Sequence, residues 1–152
     1  MITPELQKTL DRTMEEAANR RHEYLTLEHL LYALLDEKTG GEVIRNCGGD
    51  TKKLKEELEQ YLREQESLPP KVKEAPQPTA AFERALHRAL LQAHSAHQNT
   101  IDGGNVLAAM FHEKRSHAVY LLEKQGITRL DVLNYISHGV SKMDEGLPEP
   151  AT

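Results

Sequence analysis

Between Leu27 and Leu35 the apolar side chains fall at Leu27, Leu30, Leu31, Leu34 and Leu35. This is the i, i+3, i+4, i+7, i+8 spacing of a helix with a wide buried face. Thr26 can cap its first turn, and Glu28 places a negative charge among the free N–H groups there. Upstream, Thr3-Pro4 opens a helix that runs to about Asn19, with Leu6, Leu10, Met14 and Ala17 along one face. Downstream, Gly40-Gly41 predicts a reset of the backbone before a short third helix from Glu42 to Cys47, which Gly48 ends in a left-handed conformation. Asp50 caps a fourth helix with Leu54, Leu58, Tyr61 and Leu62 on its core face.

The pattern then returns. A shift of 76 residues places Phe82 on Leu6, Leu86 on Leu10, Asp102 on Thr26, Val106 on Leu30, Leu107 on Leu31 and Phe111 on Leu35. A shift of 78 places Leu122 on Ile44, Gly126 on Gly48, Val132 on Leu54 and Ile136 on Leu58. The chain is therefore two copies of one helical unit. Present only twice, so long a unit predicts a closed pseudo-two-fold domain in which the two apolar stripes meet, rather than an open solenoid.

The first copy covers about residues 3–65 and the second about 79–142. Between them, residues 66–78 read as an extended, mobile linker, with four prolines in the twelve residues Ser67 to Pro78. In the second copy Thr79 opens a helix from Ala80 to His97, Asp102 and Ser116 cap the next two, and Thr128 with Asp131 forms a capping box for the last. Gly103-Gly104 weakens the first turn after Asp102. Residues 143–152, with two prolines and few apolar side chains, read as a flexible tail. The expected fold is all-α, eight helices in two groups of four, with no segment that alternates like a strand.

With 38% hydrophobic residues and a net charge of -5, the 152-residue chain is expected to fold as one soluble domain. The acidic balance argues against a nucleic-acid surface. No apolar run approaches membrane-spanning length, and no signal segment opens the chain, which points to a cytoplasmic protein that does not bind membranes. Cys47, the single cysteine, excludes an internal disulfide and reads as a buried, inert thiol.

Chemistry-bearing patterns are sparse. No Gly-x-x-x-x-Gly-Lys-Ser/Thr loop occurs, the acids are spread along helix surfaces among Lys and Arg, and no serine has a nucleophile-elbow context. No catalytic residues, metal site or cofactor are assigned. His94 and His97 at i, i+3, with His87 two turns earlier, and separately His22 and His29, have the spacing of partial metal sites, but neither set has a clear third ligand. Solvated or partly buried histidines are the simpler reading.

The run Arg21-His22-Glu23-Tyr24-Leu25-Thr26-Leu27-Glu28-His29-Leu30-Leu31-Tyr32-Ala33-Leu34-Leu35 resembles the Clp N-domain signature at the start of Clp-family AAA+ unfoldases. Asp102-Gly103-Gly104-Asn105-Val106-Leu107 is similar to the matching element of that family's second repeat. Arg129 to Gly139, and Pro78-Thr79 followed by Phe82, resemble the ClpA type. This resemblance implies a binding domain, monomeric when isolated, carried on a hexameric ATPase whose ATP and Mg sites lie outside the chain. It implies docking of a ClpS-like adaptor that brings substrate polypeptides for unfolding and delivery to ClpP. Carried onto this sequence, the adaptor-binding positions are Glu23, Glu28, Thr79, Arg84 and Arg88, expected as a charged rim at helix ends. Two alternatives accompany it: direct binding of unfolded polypeptide, as in ClpB-like and ClpC-like relatives, and a histidine-based metal-binding regulatory module.

Overall fold

Capping side chains start seven of the eight helices among the described residues, which are 1–143 of the computed structural model. Thr3 opens α1 (Pro4–Asn19), Thr26 opens α2 (Leu27–Leu34) and Asp50 opens α4 (Thr51–Arg63), each accepting a hydrogen bond from a first-turn N–H. Thr79, Asp102, Ser116 and Thr128 do the same for α5 (Ala80–Ser95), α6 (Gly103–Met110), α7 (His117–Lys124) and α8 (Arg129–His138). Only α3 (Lys38–Asn46), which follows Glu37, lacks a side-chain cap.

The duplication extends to the backbone. Arg21 and His97, 76 residues apart, are the two non-glycine residues with positive φ among the described residues, both at 55°. Each follows the end of the first helix of its copy, where His22 N–H donates to Ala17 C=O and Gln98 N–H to Ala93 C=O. Helix α5 therefore stops at Ser95, short of the expected His97, and His97 lies outside the helical face that holds His94. Gly48 and Gly126 end α3 and α7 with φ of 87° and 81°. Such values favour glycine, which has no Cβ to clash.

Two short strand pairs tie the copies together. In β1 (Tyr24–Leu25), Leu25 pairs in parallel with Pro78 of β2 (Gln77–Pro78), and Ile2 pairs in parallel with Ile101. Thr79 N–H donates to Leu25 C=O and Thr3 N–H to Ile101 C=O, both at 3.0 Å. Each copy thus begins on an edge supplied by the other. These contacts are too short to show as alternation in the sequence, and the fold remains all-α. The segment between the copies is held at both ends, by Leu68 N–H to Arg21 C=O and Gln77 N–H to Glu23 C=O.

Helices α2 and α6 form the centre, with Leu30, Leu31, Leu34, Val106, Leu107 and Met110 all fully buried. Helix α3 differs from expectation, because it runs through Gly40-Gly41 rather than starting after them. A Cβ at Gly40 would collide with Leu34 C=O at the end of α2. The glycines thus serve close helix approach, at a cost of roughly 1 kcal/mol each in helix propensity. The inward face of α1 also differs. Thr9 and Thr13 are buried with Leu6 and Ala17, while Leu10 and Met14 are half-buried. Thr13 Oγ1 donates to Thr9 C=O one turn back, and the single Thr9 hydroxyl proton lies between Glu37 Oε2 at 2.7 Å and Glu5 C=O at 3.1 Å. Cys47 is buried, and burial pushes its thiol up to about 11, as an inert residue requires.

A buried histidine pair closes the start of α2. His29 Nδ1 accepts from Thr26 N–H at 3.0 Å, completing a capping box, and His29 Nε2 lies 2.8 Å from His22 Nδ1. Because Nδ1 of His29 is an acceptor, its neutral ring carries the proton on Nε2 and donates it to His22. Burial first, then the nearby His22 and Arg20, lowers His29 to about 4. Asn105 plays the same capping role in α6 without titrating.

Two tests follow from this packing. An unfolded histidine titrates near 6.5, so between about pH 6.5 and 4 the unfolded chain binds the extra proton. The His29 contribution is therefore complete above pH 6.5 and lost as pH falls toward 4, roughly 3 kcal/mol in all. Urea midpoints measured across that range should fall less steeply in His29→Asn than in the parent. Gly40→Ala should destabilise by roughly 1–3 kcal/mol despite the gain in helix propensity, because the clash is with backbone. An equal or higher urea midpoint would contradict the close approach.

Candidate functional site

The N-terminal ends of α2, α5 and α7 open on one side of the molecule around a cleft of about 670 Å³. Thr26 and Glu28 come from α2, Thr79 and Arg84 from α5, Ser116 and His117 from α7, and residues 112–115 from the loop between α6 and α7. Tyr61 of α4 stacks on His117, ring centroids 4.1 Å apart, and closes one wall. A second cleft of about 350 Å³ shares Thr26, Glu28 and Tyr61 with the first and adds Glu23, Tyr24 and Glu66. Three helix N-termini bring partial positive charge to the larger cleft. Lys114 and Arg115 add exposed cations, whereas the smaller cleft carries Glu23 and Glu66. The surface is thus cationic at one end and acidic at the other.

The five positions expected at this surface occupy distinct environments. Glu23 is exposed, and its carboxylate makes no ion pair among the described residues. Glu28 departs from the expected exposed rim. It is 7% exposed, and its Oε2 accepts a 2.9 Å hydrogen bond from Ala118 N–H, so it caps α7 of the other copy rather than its own helix. Thr79 is half-buried, with its hydroxyl on Phe82 N–H and its own N–H on Leu25 C=O. Arg84 reaches Glu113 with both Nε and Nη2, at 3.1 and 2.6 Å to the two carboxylate oxygens. This bidentate pair fixes the guanidinium plane, and Arg84 holds the Glu113 carboxyl below its usual range. Arg88 is half-buried one turn further along α5, outside the main cleft.

The cleft therefore brings together Glu28, Thr79 and Arg84, places Glu23 in the adjoining cleft, and leaves Arg88 behind. Sequence reasoning missed Glu113, His112, Arg115 and His117. Arg84 and Glu113 are 29 residues apart and Glu28 and Ala118 are 90 apart, so no local spacing links them. The available signal was the 76-residue shift, which places Glu113 on Glu37. No group of three or more His, Cys, Asp or Glu side chains among the described residues has metal-holding geometry. No described helix is long and apolar enough to cross a membrane.

Comparison with known proteins agrees with this architecture. The family described as "Clp repeat (R) N-terminal domain" matches residues 1–125. A ClpA homolog protein of Fuscovulum blasticum is 40% identical over 145 residues, which span 91% of this chain and 18% of that protein. The Hsp104 N-terminal domain of Candida albicans superposes with a TM-score of 0.75 at 14% identity, over 86% of this chain and 85% of that one. A ClpV N-domain solved in complex with a VipB peptide gives a TM-score of 0.73 at 18% identity, over 93% and 89%. The matched region is an N-terminal Clp domain, not an ATPase domain, and the chain belongs to the Clp N-terminal domain family.

Proposed function

We propose that this domain is the adaptor- and substrate-docking module of a ClpA-like AAA+ unfoldase acting in the cytoplasm. It binds a ClpS-like adaptor, and the hexameric ATPase that carries it unfolds the recruited substrates and passes them to ClpP. ATP and Mg serve that ATPase, and the domain itself performs no chemistry. The observation that supports this most is the pair of joined clefts at the junction of the two copies. They hold Glu28, Thr79 and Arg84 in one and Glu23 in the other, with opposite charge at the two ends. A partner that presents a basic and an acidic side chain at the matching distance finds both complements, which fixes its register. The similarity to a ClpA homolog supports the ClpA-like assignment.

Direct gripping of unfolded polypeptide is the second reading. Exposed Leu90 and Leu91 on α5, and Tyr24 at the edge of the smaller cleft, give it apolar contact surface.

Calorimetric titration with a purified ClpS-type adaptor separates the two. Docking predicts a saturable one-to-one complex. Because Glu23 is exposed and makes no ion pair among the described residues, Glu23→Lys should weaken the complex by roughly tenfold or more with an unchanged circular dichroism spectrum. No heat at high micromolar adaptor, together with saturable binding of a permanently unfolded protein, would favour the second reading instead.

A further inference from the structure

Three aromatic rings stand in a row where α4 meets α7. Tyr61 and His117 stack with centroids 4.1 Å apart and 24° between their planes, and Tyr120, one turn along α7, follows His117 at 5.5 Å and 32°. Tyr61 and His117 also wall the main cleft, but Tyr120 lies outside it and is 55% exposed. The row lines a separate groove of about 240 Å³ between the two helices. The acids along that groove are Glu57 of α4 and Glu64 at its C-terminal end, and the cation is Lys124 at the end of α7. Lys124 Nζ donates to Glu57 Oε2 at 2.8 Å, whereas Glu57 Oε1 is buried without a hydrogen-bond partner among the described residues. Glu64 makes no ion pair among the described residues.

The tie between the helices repeats across the copies, and the rings do not. The shift of 78 residues places Lys124 on Asn46 and Tyr135 on Glu57, and Asn46 Nδ2 donates to Tyr135 OH at 3.3 Å where α3 meets α8. That junction has Thr39, Glu42 and Gly139 at the ring positions. A junction of this kind is therefore closed without three stacked rings.

We propose that the groove binds an arginine side chain of a polypeptide partner, with its guanidinium flat against the exposed Tyr120 ring and its N–H groups on Glu64. Ring faces carry partial negative charge and attract a cation, and a planar cation makes the most contact with them. Two carboxylates against one ammonium leave the groove negative, and the C-terminal end of α4 adds to that potential. An acidic side chain meets the wrong field, and the one ammonium is already committed to Glu57. A lysine would answer the charge without the stacking. The proposal goes beyond the adaptor reading and does not depend on it, because neither Tyr120 nor Glu64 lines the two docking clefts.

The test uses the full chain, carbon-13 labelled on its aromatic rings, and three N-acetylated, C-amidated peptides that alternate Ala with Arg, with Lys or with the neutral isostere citrulline. The Arg peptide should move the Tyr120 and Tyr61 ring resonances in a saturable titration, the Lys peptide should bind about threefold more weakly, and the citrulline peptide should leave the rings unmoved. Tyr120→Leu, which keeps the charge of the groove and changes an exposed position, should weaken the Arg peptide about threefold with an unchanged urea midpoint, and Tyr120→Phe should restore it. Glu64→Gln should weaken it by a similar factor. Undiminished binding of the Arg peptide to folded Tyr120→Leu, or equal binding of the Arg and citrulline peptides, would overturn the proposal. So would a Lys peptide that binds as tightly as the Arg peptide.

Discussion

Neither copy closes its own edge, and the rest of the structure follows from that. The backbone ahead of α1 is pinned to Ile101 and the backbone ahead of α5 to Leu25, each by a parallel pairing with the opposite copy. Side chains repeat the exchange, with Glu28 of the first copy capping α7 of the second and Glu37 lying against Gly103 at the start of α6. A single copy would leave the stripe of its central helix open to water and several helix N-termini without partners. The main cleft is a product of the same exchange. Its walls come from α2 and α4 on one side and α5 and α7 on the other.

The near-symmetry also separates what both copies need from what one copy carries alone. Features that repeat across the copies, such as the two capping boxes of α2 and α6 or the left-handed residues Arg21 and His97, serve the fold. Features that break the repeat belong to one copy alone. Glu28 stands where the second copy has Gly104, and Asp36 where it has His112. Glu28 and His112 both line the main cleft, and Glu28 also caps α7, so the cleft is where the two copies part.

Much of the fold was legible because it is set by short-range chemistry. Hydroxyl and carboxylate caps at Thr3, Thr26, Asp50, Thr79, Asp102, Ser116 and Thr128 act within three residues, and helical spacing identified the buried faces of α2 and α6. The failures have a common cause, since each depends on a partner distant in sequence. Gly40-Gly41 looks like a break until Leu34 C=O is seen against it. Thr9 and Thr13 stand outside the apolar stripe read along α1, but their hydroxyls find acceptors on the helix backbone and on Glu37, so they can face inward. Of the candidate site, the residue types were readable and their environments were not. Glu28 is buried by a contact 90 residues away, and the bidentate hold of Glu113 on Arg84 spans 29. The short strand pairs, two residues or fewer on each side, carry no periodic signal at all.

If mutual closure holds the domain together, the copies cannot open separately. Native-state hydrogen exchange tests this directly at the amides of Thr3, Thr79 and Ala118, which donate across the junction, and of Leu54 and Val132, which lie in the fourth helix of each copy. In rising sub-denaturing urea all five should converge on one opening free energy, equal to that of global unfolding. If Val132 and its neighbours instead exchange through an opening that leaves Leu54 protected, the halves are independent units and the account of one reciprocally closed domain is wrong.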